Sequence, residues 1–126
     1  MPPQIYIVDD DASVRRAMER LIRSAGMEVQ AFASAQEFLD FEYSNQNACM
    51  IVDIKLQGMS GLELQKELRT RGSDLPIIFI TGFDSPEIRE QAKKAGAAGY
   101  FRKPLDGQAL LDTIQWALAR DQKPGV

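Results

Sequence analysis

Short runs of apolar residues alternate along this chain with longer segments in which apolar residues recur at helical spacing. The clearest run covers residues 48–52 and is apolar throughout, which is typical of a strand buried on both faces of a sheet. Shorter apolar runs lie within residues 4–8, 76–80 and 98–102, whereas residues 27–32 alternate between apolar and polar. Such alternation favours a half-exposed strand at the edge of a sheet. The pattern therefore predicts five strands.

Five further segments carry the spacing of amphipathic helices. They are predicted over residues 12–25, 35–42, 61–71, 86–95 and 106–120. The second helix is expected to begin at the capping box that runs from Ser34 to Glu37. The apolar stripe of the fourth helix is thin and made of small residues, so this helix buries little apolar area and is expected to be loosely held.

Strands that alternate with helices predict an α/β fold, because each connecting helix returns the chain for another parallel strand. Right-handed crossovers and a second strand at the edge favour the flavodoxin-like strand order 2-1-3-4-5. We therefore expect a (βα)5 doubly wound sandwich with a five-stranded parallel sheet over residues 1–121. Residues 122–126 are interpreted as a tail or the start of a linker.

Composition is that of a soluble globular protein, with 44% hydrophobic and 26% charged residues in a chain of 126. The net charge of −3 argues against direct contact with nucleic acid or anionic lipid. No apolar run reaches the length of a membrane span and no signal peptide is visible, so a cytoplasmic location is expected. The single cysteine, Cys49, lies in a predicted buried strand and is expected to be a core residue.

Polar residues end or follow four of the predicted strands, and parallel strands would bring them to one edge of the sheet, where α/β folds bind ligands. These residues are Asp9, Asp10, Asp11, Asp53, Thr81, Arg102 and Lys103. Two carboxylates about 4 Å apart repel by about 4 kcal/mol at an effective dielectric constant of 20, and a divalent cation removes that repulsion. A ligand set of oxygens alone favours Mg²⁺.

The remaining groups at this edge indicate phosphoryl chemistry. A cation, a lysine and a hydroxyl form the surroundings that a phosphoryl group needs, and a carboxylate among them can act as the nucleophile. The chain contains no histidine, which excludes the usual Ser-His-Asp and Cys-His nucleophiles and histidine-ligated zinc.

In order and spacing, these residues resemble the receiver domain of two-component response regulators. The segments that carry the resemblance are Val8-Asp9-Asp10, Asp53, Gly58-Met59-Ser60-Gly61, Ile80-Thr81-Gly82 and Lys103-Pro104. The resemblance extends to about Arg120 and implies a Mg²⁺-dependent phosphoacceptor switch in a histidine-to-aspartate phosphorelay. It departs from the family at Gln57, because a proline is usual at this position in the loop after Asp53.

The resemblance implies that Asp53 accepts a phosphoryl group from a phosphohistidine of a sensor histidine kinase. It further implies that Asp10 and Asp53 ligate Mg²⁺ directly, that Asp9 does so mainly through water, and that the backbone carbonyl of Lys55 completes the protein ligands. Self-phosphorylation and self-dephosphorylation are the only catalysis expected.

The resemblance also implies how the domain responds. Lys103 pairs with the phosphoryl oxygens, the Thr81 hydroxyl swings toward them, and Tyr100 changes rotamer in concert. Lys55 and Phe83 occupy positions that tune the lifetime of the phosphoryl group. The Lys103-Pro104 peptide bond is expected to be cis, because in the family this turn aims the lysine at the site.

Two outputs remain open. The segment Ile80-Thr81-Gly82-Phe83 loosely resembles receivers fused to helix-turn-helix domains that regulate transcription, and a stand-alone single-domain regulator is the alternative. Trp116 is expected to point away from the apolar stripe of the last helix. It is either an isolated surface residue or, as we hypothesise, part of a phosphorylation-dependent homodimer or effector contact.

Two other classes of protein fit less well. A phosphatase of the haloacid dehalogenase type carries a second aspartate two residues after its nucleophile, and Lys55 stands at that position here. A flavodoxin-like cofactor carrier must hold a phosphate in its first loop, and Asp9, Asp10 and Asp11 would repel it.

Overall fold

The computed structural model describes residues 2–121, apart from the side chain of Asp121; the predicted tail at residues 122–126 lies outside the described residues. In chain order the elements are β1 (Gln4–Val8), α1 (Ala12–Ser24), β2 (Glu28–Phe32), α2 (Ala35–Leu39), β3 (Ala48–Asp53), α3 (Gly61–Thr70), β4 (Ile77–Thr81), α4 (Pro86–Lys94), β5 (Gly99–Arg102) and α5 (Gly107–Asp121). The strands are parallel and lie in the order β2-β1-β3-β4-β5. The predicted fold class and strand order are confirmed.

Helices cover both faces of the sheet, so each face has its own apolar core. Side chains that alternate along β3 enter different cores, with Met50 and Val52 on one face and Cys49 and Ile51 on the other. Helices α2, α3 and α4 contribute to the first core, and α1 and α5 to the second. All six residues of β3 are buried, as its apolar sequence predicts.

Helix starts are fixed by side chains that accept hydrogen bonds from the first turn. The Asp11 carboxylate accepts from the amides of Ser13 and Val14, at 2.8 and 3.2 Å. At the start of α3, Ser60 and Glu63 form a complete capping box that the sequence analysis did not single out. The predicted box at α2 is only half formed. Ser34 caps the helix as predicted, but the Glu37 carboxylate accepts from the amide of Ala33.

Helix α2 is shorter than predicted and ends at Leu39 rather than near residue 42. The chain leaves the helix at Asp40, and the Phe41 ring packs against Phe32 and Tyr6 at centroid distances of 5.2 and 6.3 Å. Aromatic packing therefore ends this helix, and that contact depends on the folded sheet. The other boundaries that differ from the prediction do so by one residue.

Helix α4 buries little apolar surface, as predicted: Ala92 is its single buried residue. Its C-terminal end is tied to α3 by Gln65, whose side-chain amide donates to the Ala95 carbonyl at 2.9 Å. Within residues 2–121, no helix has the length and apolar character needed to cross a membrane.

Candidate phosphoryl-acceptor site

Three carboxylates meet at the C-terminal edge of the sheet. Strands β1 and β3 are neighbours with Val8 opposite Val52, so Asp9 and Asp53, each the next residue, lie side by side. Carboxylate oxygens of Asp9, Asp10 and Asp53 lie within 4.8 Å of one another. Asp9 and Asp53 are buried, whereas Asp10 is exposed. The structure thus brings together the three residues predicted to hold a cation.

Lys103 reaches this cluster from the end of β5. Its ammonium donates to the Asp53 carboxylate at 2.7 Å and to the Asp9 carboxylate at 3.0 Å. Its backbone amide donates to the Thr81 carbonyl at 2.8 Å, which fixes the turn relative to β4. The peptide bond that follows Lys103 is cis, as predicted.

Burial and the hydrogen-bonded partners shift the pKa values of Asp9 and Lys103 in opposite directions. Burial raises the pKa of Asp9 above its usual value, although hydrogen bonds from the Asp11 amide and from Lys103 oppose that rise. Burial alone would lower the pKa of Lys103, but the hydrogen bonds to Asp53 and Asp9 outweigh it, so the pKa lies above its usual value. Lys103 therefore stays charged.

The donor set fits a hard divalent cation. Three carboxylates and one ammonium leave two negative charges unbalanced within a few ångströms. The candidate ligand atoms of Asp9, Asp10 and Asp53 are all carboxylate oxygens. Oxygen ligands with this charge are those that Mg²⁺ prefers. The predicted coordination by the Lys55 carbonyl stays a prediction.

Backbone contacts hold the Asp53 carboxylate in place. One oxygen accepts from the Lys55 amide at 3.0 Å, and the other is the partner of Lys103. Gly61 lies directly against this segment. Its amide donates to the Ile54 carbonyl at 2.9 Å, and a Cβ at this position would lie 2.5 Å from the Asp53 carbonyl oxygen.

The two glycines in the segment after β3, Gly58 and Gly61, therefore have different structural roles. Gly58 has a φ of 77°, a left-handed conformation that glycine adopts at little cost in a tight turn. Gly61 instead allows close approach to the backbone that carries Asp53.

The Thr81 side chain is buried at the end of β4, and its hydroxyl accepts a hydrogen bond from the Phe83 amide at 2.9 Å. The Lys55 ammonium lies 4.3 Å from the centroid of the Phe83 ring, in a cation–π contact. The two residues predicted to tune phosphoryl lifetime thus touch each other, beside the hydroxyl predicted to move.

Tyr100 is held by two residues that the sequence analysis did not identify. Its hydroxyl donates to one oxygen of the Asp84 carboxylate at 2.8 Å, and the Arg89 guanidinium donates to the other at 2.5 Å. Burial and the hydrogen bond to Asp84 raise the pKa of Tyr100 to about 12. No spacing rule points to this contact, because Asp84 and Tyr100 belong to different elements.

Trp116 is half exposed, as predicted, and the Arg120 guanidinium lies 4.6 Å from the centroid of its ring. It borders a shallow cavity beside Pro76 and Ala98, at the edge of the sheet where β4 and β5 begin. The structure therefore does not bring Trp116 to the carboxylate cluster, and its interface role stays a prediction.

The family model of the response regulator receiver domain matches residues 5–115. This chain belongs to that family. A receiver domain is a signalling domain. The strand order, the acidic cluster and the lysine described above are the features expected of such a domain.

Individual relatives agree with this membership. The chain is 40% identical over 119 residues to the transcriptional regulatory protein TdiR of Thauera aromatica, and 41% identical over the same length to nodulation protein W of Bradyrhizobium diazoefficiens. Each comparison covers 94% of this chain and 52% of the relative. The chain therefore spans about half the length of these relatives.

Solved receiver structures superpose closely. The response regulator StyR matches with a TM-score of 0.88 and 40% identity, over 96% of this chain and 61% of StyR. A CheY-like receiver domain protein of Methanospirillum hungatei also matches with a TM-score of 0.88, at 31% identity, over 99% of this chain and all of that one.

Proposed function

We propose that this receiver domain is the phosphoacceptor switch of a two-component phosphorelay and that Asp53 is the acceptor. The observation that carries the proposal is the position of the Asp53 carboxylate. It lies at the tip of the central strand, 2.7 Å from the Lys103 ammonium and within 4.8 Å of two further carboxylates. Nucleophile, fixed positive charge and candidate cation ligands thus occupy one small volume.

The surroundings of Asp53 suit it to attack a phosphohistidine of a sensor histidine kinase. The Lys55 amide and Lys103 fix the orientation of the carboxylate, so little orientational freedom is lost on the way to the transition state. A new bond forms between a carboxylate oxygen and phosphorus as the phosphorus–nitrogen bond breaks and imidazole leaves. The Lys103 ammonium then pairs with a phosphoryl oxygen.

Asp9, Asp10, Asp53 and the Lys55 carbonyl are the residues that would hold Mg²⁺, with Asp9 acting mainly through water. When bound, the cation neutralises negative charge on the phosphoryl oxygens. Without it, three carboxylates within 4.8 Å of one another would repel an incoming phosphoryl group.

The response begins at Thr81. We infer that its hydroxyl leaves the Phe83 amide and donates to the phosphoryl group, and that Tyr100 changes rotamer in concert. A single local charge event would then bias a two-state surface formed by α4 and β5. The weak burial of α4 supports this, because the helix can shift without opening a large apolar area.

The output we propose is control of transcription through a fused helix-turn-helix domain, with a stand-alone regulator as the second candidate. The names of the relatives and the half-length match to them favour the first. The receiver itself would act in the cytoplasm without touching nucleic acid. The gene sequence after the codon for Val126 decides between them: a helix-turn-helix coding region supports fused output, and an immediate stop codon supports the stand-alone form.

Incubation with acetyl phosphate and Mg²⁺ tests the acceptor assignment. We expect the intact mass to increase by one phosphoryl group, and Asp53→Asn to abolish the increase, because the amide is not a competent nucleophile. Asp74→Asn, which changes an exposed carboxylate in the loop before β4, is the matched control and should gain the phosphoryl group as the unsubstituted protein does. Stable phosphorylation of Asp53→Asn would refute the assignment. Repeated turnover of a phosphoester would instead support the phosphatase alternative.

A further inference from the structure

The Asp84 side chain links the loop that carries it to strand β5 and helix α4. It lies in the loop between β4 and α4, and its carboxylate accepts from the Tyr100 hydroxyl of β5 and from the Arg89 guanidinium of α4. The same guanidinium lies 6.0 Å from the centroid of the Tyr100 ring. The Asp84 side chain is only 12% exposed, whereas that of Arg89 is 61% exposed. The carboxylate is therefore the enclosed centre of this group.

The charge of Asp84 is maintained by its partners. Hydrogen bonds from Tyr100 and from Arg89 hold the pKa of the Asp84 carboxyl below its usual value, so it is ionised near neutral pH. A hydrogen bond from a phenol to a carboxylate is charge-assisted and stronger than one between neutral groups. Tyr100 consequently has a specific anchor in this arrangement.

The anchor is adjacent to the residue that is proposed to sense the phosphoryl group. Phe83, the residue before Asp84, donates its amide to the Thr81 hydroxyl at 2.9 Å. In this arrangement the hydroxyl is engaged by its own loop. If the Thr81 hydroxyl turns to a phosphoryl oxygen, the Phe83 amide loses its hydrogen-bond acceptor. The backbone at Asp84, the next residue, then loses the hydrogen bond that restrains it.

We propose that Asp84 is a positioning residue that holds Tyr100 in its resting place, and that movement of Thr81 releases it. This proposal rests on the proposed function, because release requires a phosphoryl group at Asp53. Arg89 strengthens the anchor from α4. Since Ala92 is the single buried residue of α4, the helix can follow when the anchor opens.

The proposal makes the resting state depend on Asp84 before any phosphorylation. Asp84→Ala removes the acceptor for both partners, and Asp84→Asn keeps an acceptor for Tyr100 but loses the charge that pairs with Arg89. We expect Asp84→Ala to shift the resting-to-active equilibrium by about fivefold toward the active form, which is the lower end of usual coupling between sites. Asp84→Asn should give an intermediate shift.

Two measurements on the whole chain test this. Carbon-13 labelled tyrosine reports the environment of Tyr100 by NMR in the unphosphorylated protein, and Tyr100→Phe identifies its signal among the three tyrosines. The initial rate of phosphorylation by acetyl phosphate reports the active fraction, because a small donor reacts with the form in which Thr81 faces the acceptor. Glu90→Ala, which removes an exposed carboxylate of α4, is the matched control.

We expect Asp84→Ala to move the Tyr100 signal and to raise the phosphorylation rate about fivefold, with unchanged Mg²⁺ affinity. In a Tyr100→Phe background the same substitution should change the rate less than about twofold, because the anchored hydroxyl is already absent. A Tyr100 signal that is unchanged in Asp84→Ala, or an unchanged rate, overturns the proposal. Failure of the unsubstituted protein to phosphorylate refutes the proposed function instead, and the NMR result still decides whether Asp84 anchors Tyr100.

Discussion

Substitution of Gly61 by alanine tests whether close packing against the β3 backbone positions the acceptor. The added Cβ would lie 2.5 Å from the Asp53 carbonyl oxygen and 3.0 Å from the Ile54 Cα, both of which are backbone atoms. Ordinary contact begins at 3.4 Å, so relief of the first contact requires a separation of about 0.9 Å between α3 and the end of β3. Neither neighbour can avoid the clash by a change of rotamer.

The stability cost follows from two opposing effects. Insertion of a methyl group into a closely packed site costs about 1–3 kcal/mol. Alanine in place of glycine at a helical position recovers at most about 1 kcal/mol. We therefore expect the free energy of unfolding to fall by on the order of 1–2 kcal/mol, measured by urea denaturation.

The effect on function should be larger than the effect on stability. A displacement near 1 Å at a reacting group costs up to about a hundredfold in rate. We expect phosphorylation of Gly61→Ala by acetyl phosphate to slow by about tenfold or more. Gly107→Ala is the control, because Gly107 is also the first residue of its helix and its added Cβ would meet only side-chain atoms of Leu21, at 3.2 Å and beyond, which can shift. If Gly61→Ala matches the unsubstituted protein in both stability and rate, the close approach does not constrain Asp53.

Three further predictions concern the cluster and the opposite edge of the sheet. Burial raises the pKa of folded Asp9 above its usual value, so the metal-free protein should lose stability as the pH rises from the usual value through the folded-state pKa. Asp9→Asn should lack this loss. If the urea midpoint of this variant changes with pH as that of the unsubstituted protein does, the assignment to Asp9 is contradicted. Asp10→Ala should weaken Mg²⁺ binding sharply in a calorimetric titration, and equal affinity would place the cation elsewhere. Beryllofluoride, a phosphoryl mimic, should produce a dimer in sedimentation that Trp116→Ala weakens, and an activated monomer would remove Trp116 from the output surface.

Much of the fold was predictable because its signals are local. The apolar run of β3 and the polar residues at the strand ends specify which segments are strands and which end carries the chemistry. Parallel pairing then brings Asp9 next to Asp53, as the sequence analysis expected. The same argument brings Lys103 to this edge, but its contacts with the Asp9 and Asp53 carboxylates were not predicted, because the resemblance implied pairing with phosphoryl oxygens.

What the sequence did not reveal depends on contacts between distant residues. The end of α2 is determined by the packing of Phe41 on Phe32 and Tyr6, which exists only once β1 and β2 pair. Asp84 is one acidic loop residue among several until β5 brings Tyr100 beside it. The purpose of Gly61 is visible only when α3 lies against the end of β3. The capping box at Ser60 differs, because its Ser-x-x-Glu pattern was readable and was overlooked.

The central claim is that a phosphoryl group is carried by Asp53 as an acyl phosphate. Borodeuteride reduces an acyl phosphate of aspartate to labelled homoserine, which marks the acceptor in the peptide sequence. After treatment with acetyl phosphate and Mg²⁺, the account predicts deuterated homoserine at position 53 and at no other aspartate. Label at Asp9 or Asp10, or no label in a protein whose mass shows one added phosphoryl group, would contradict it.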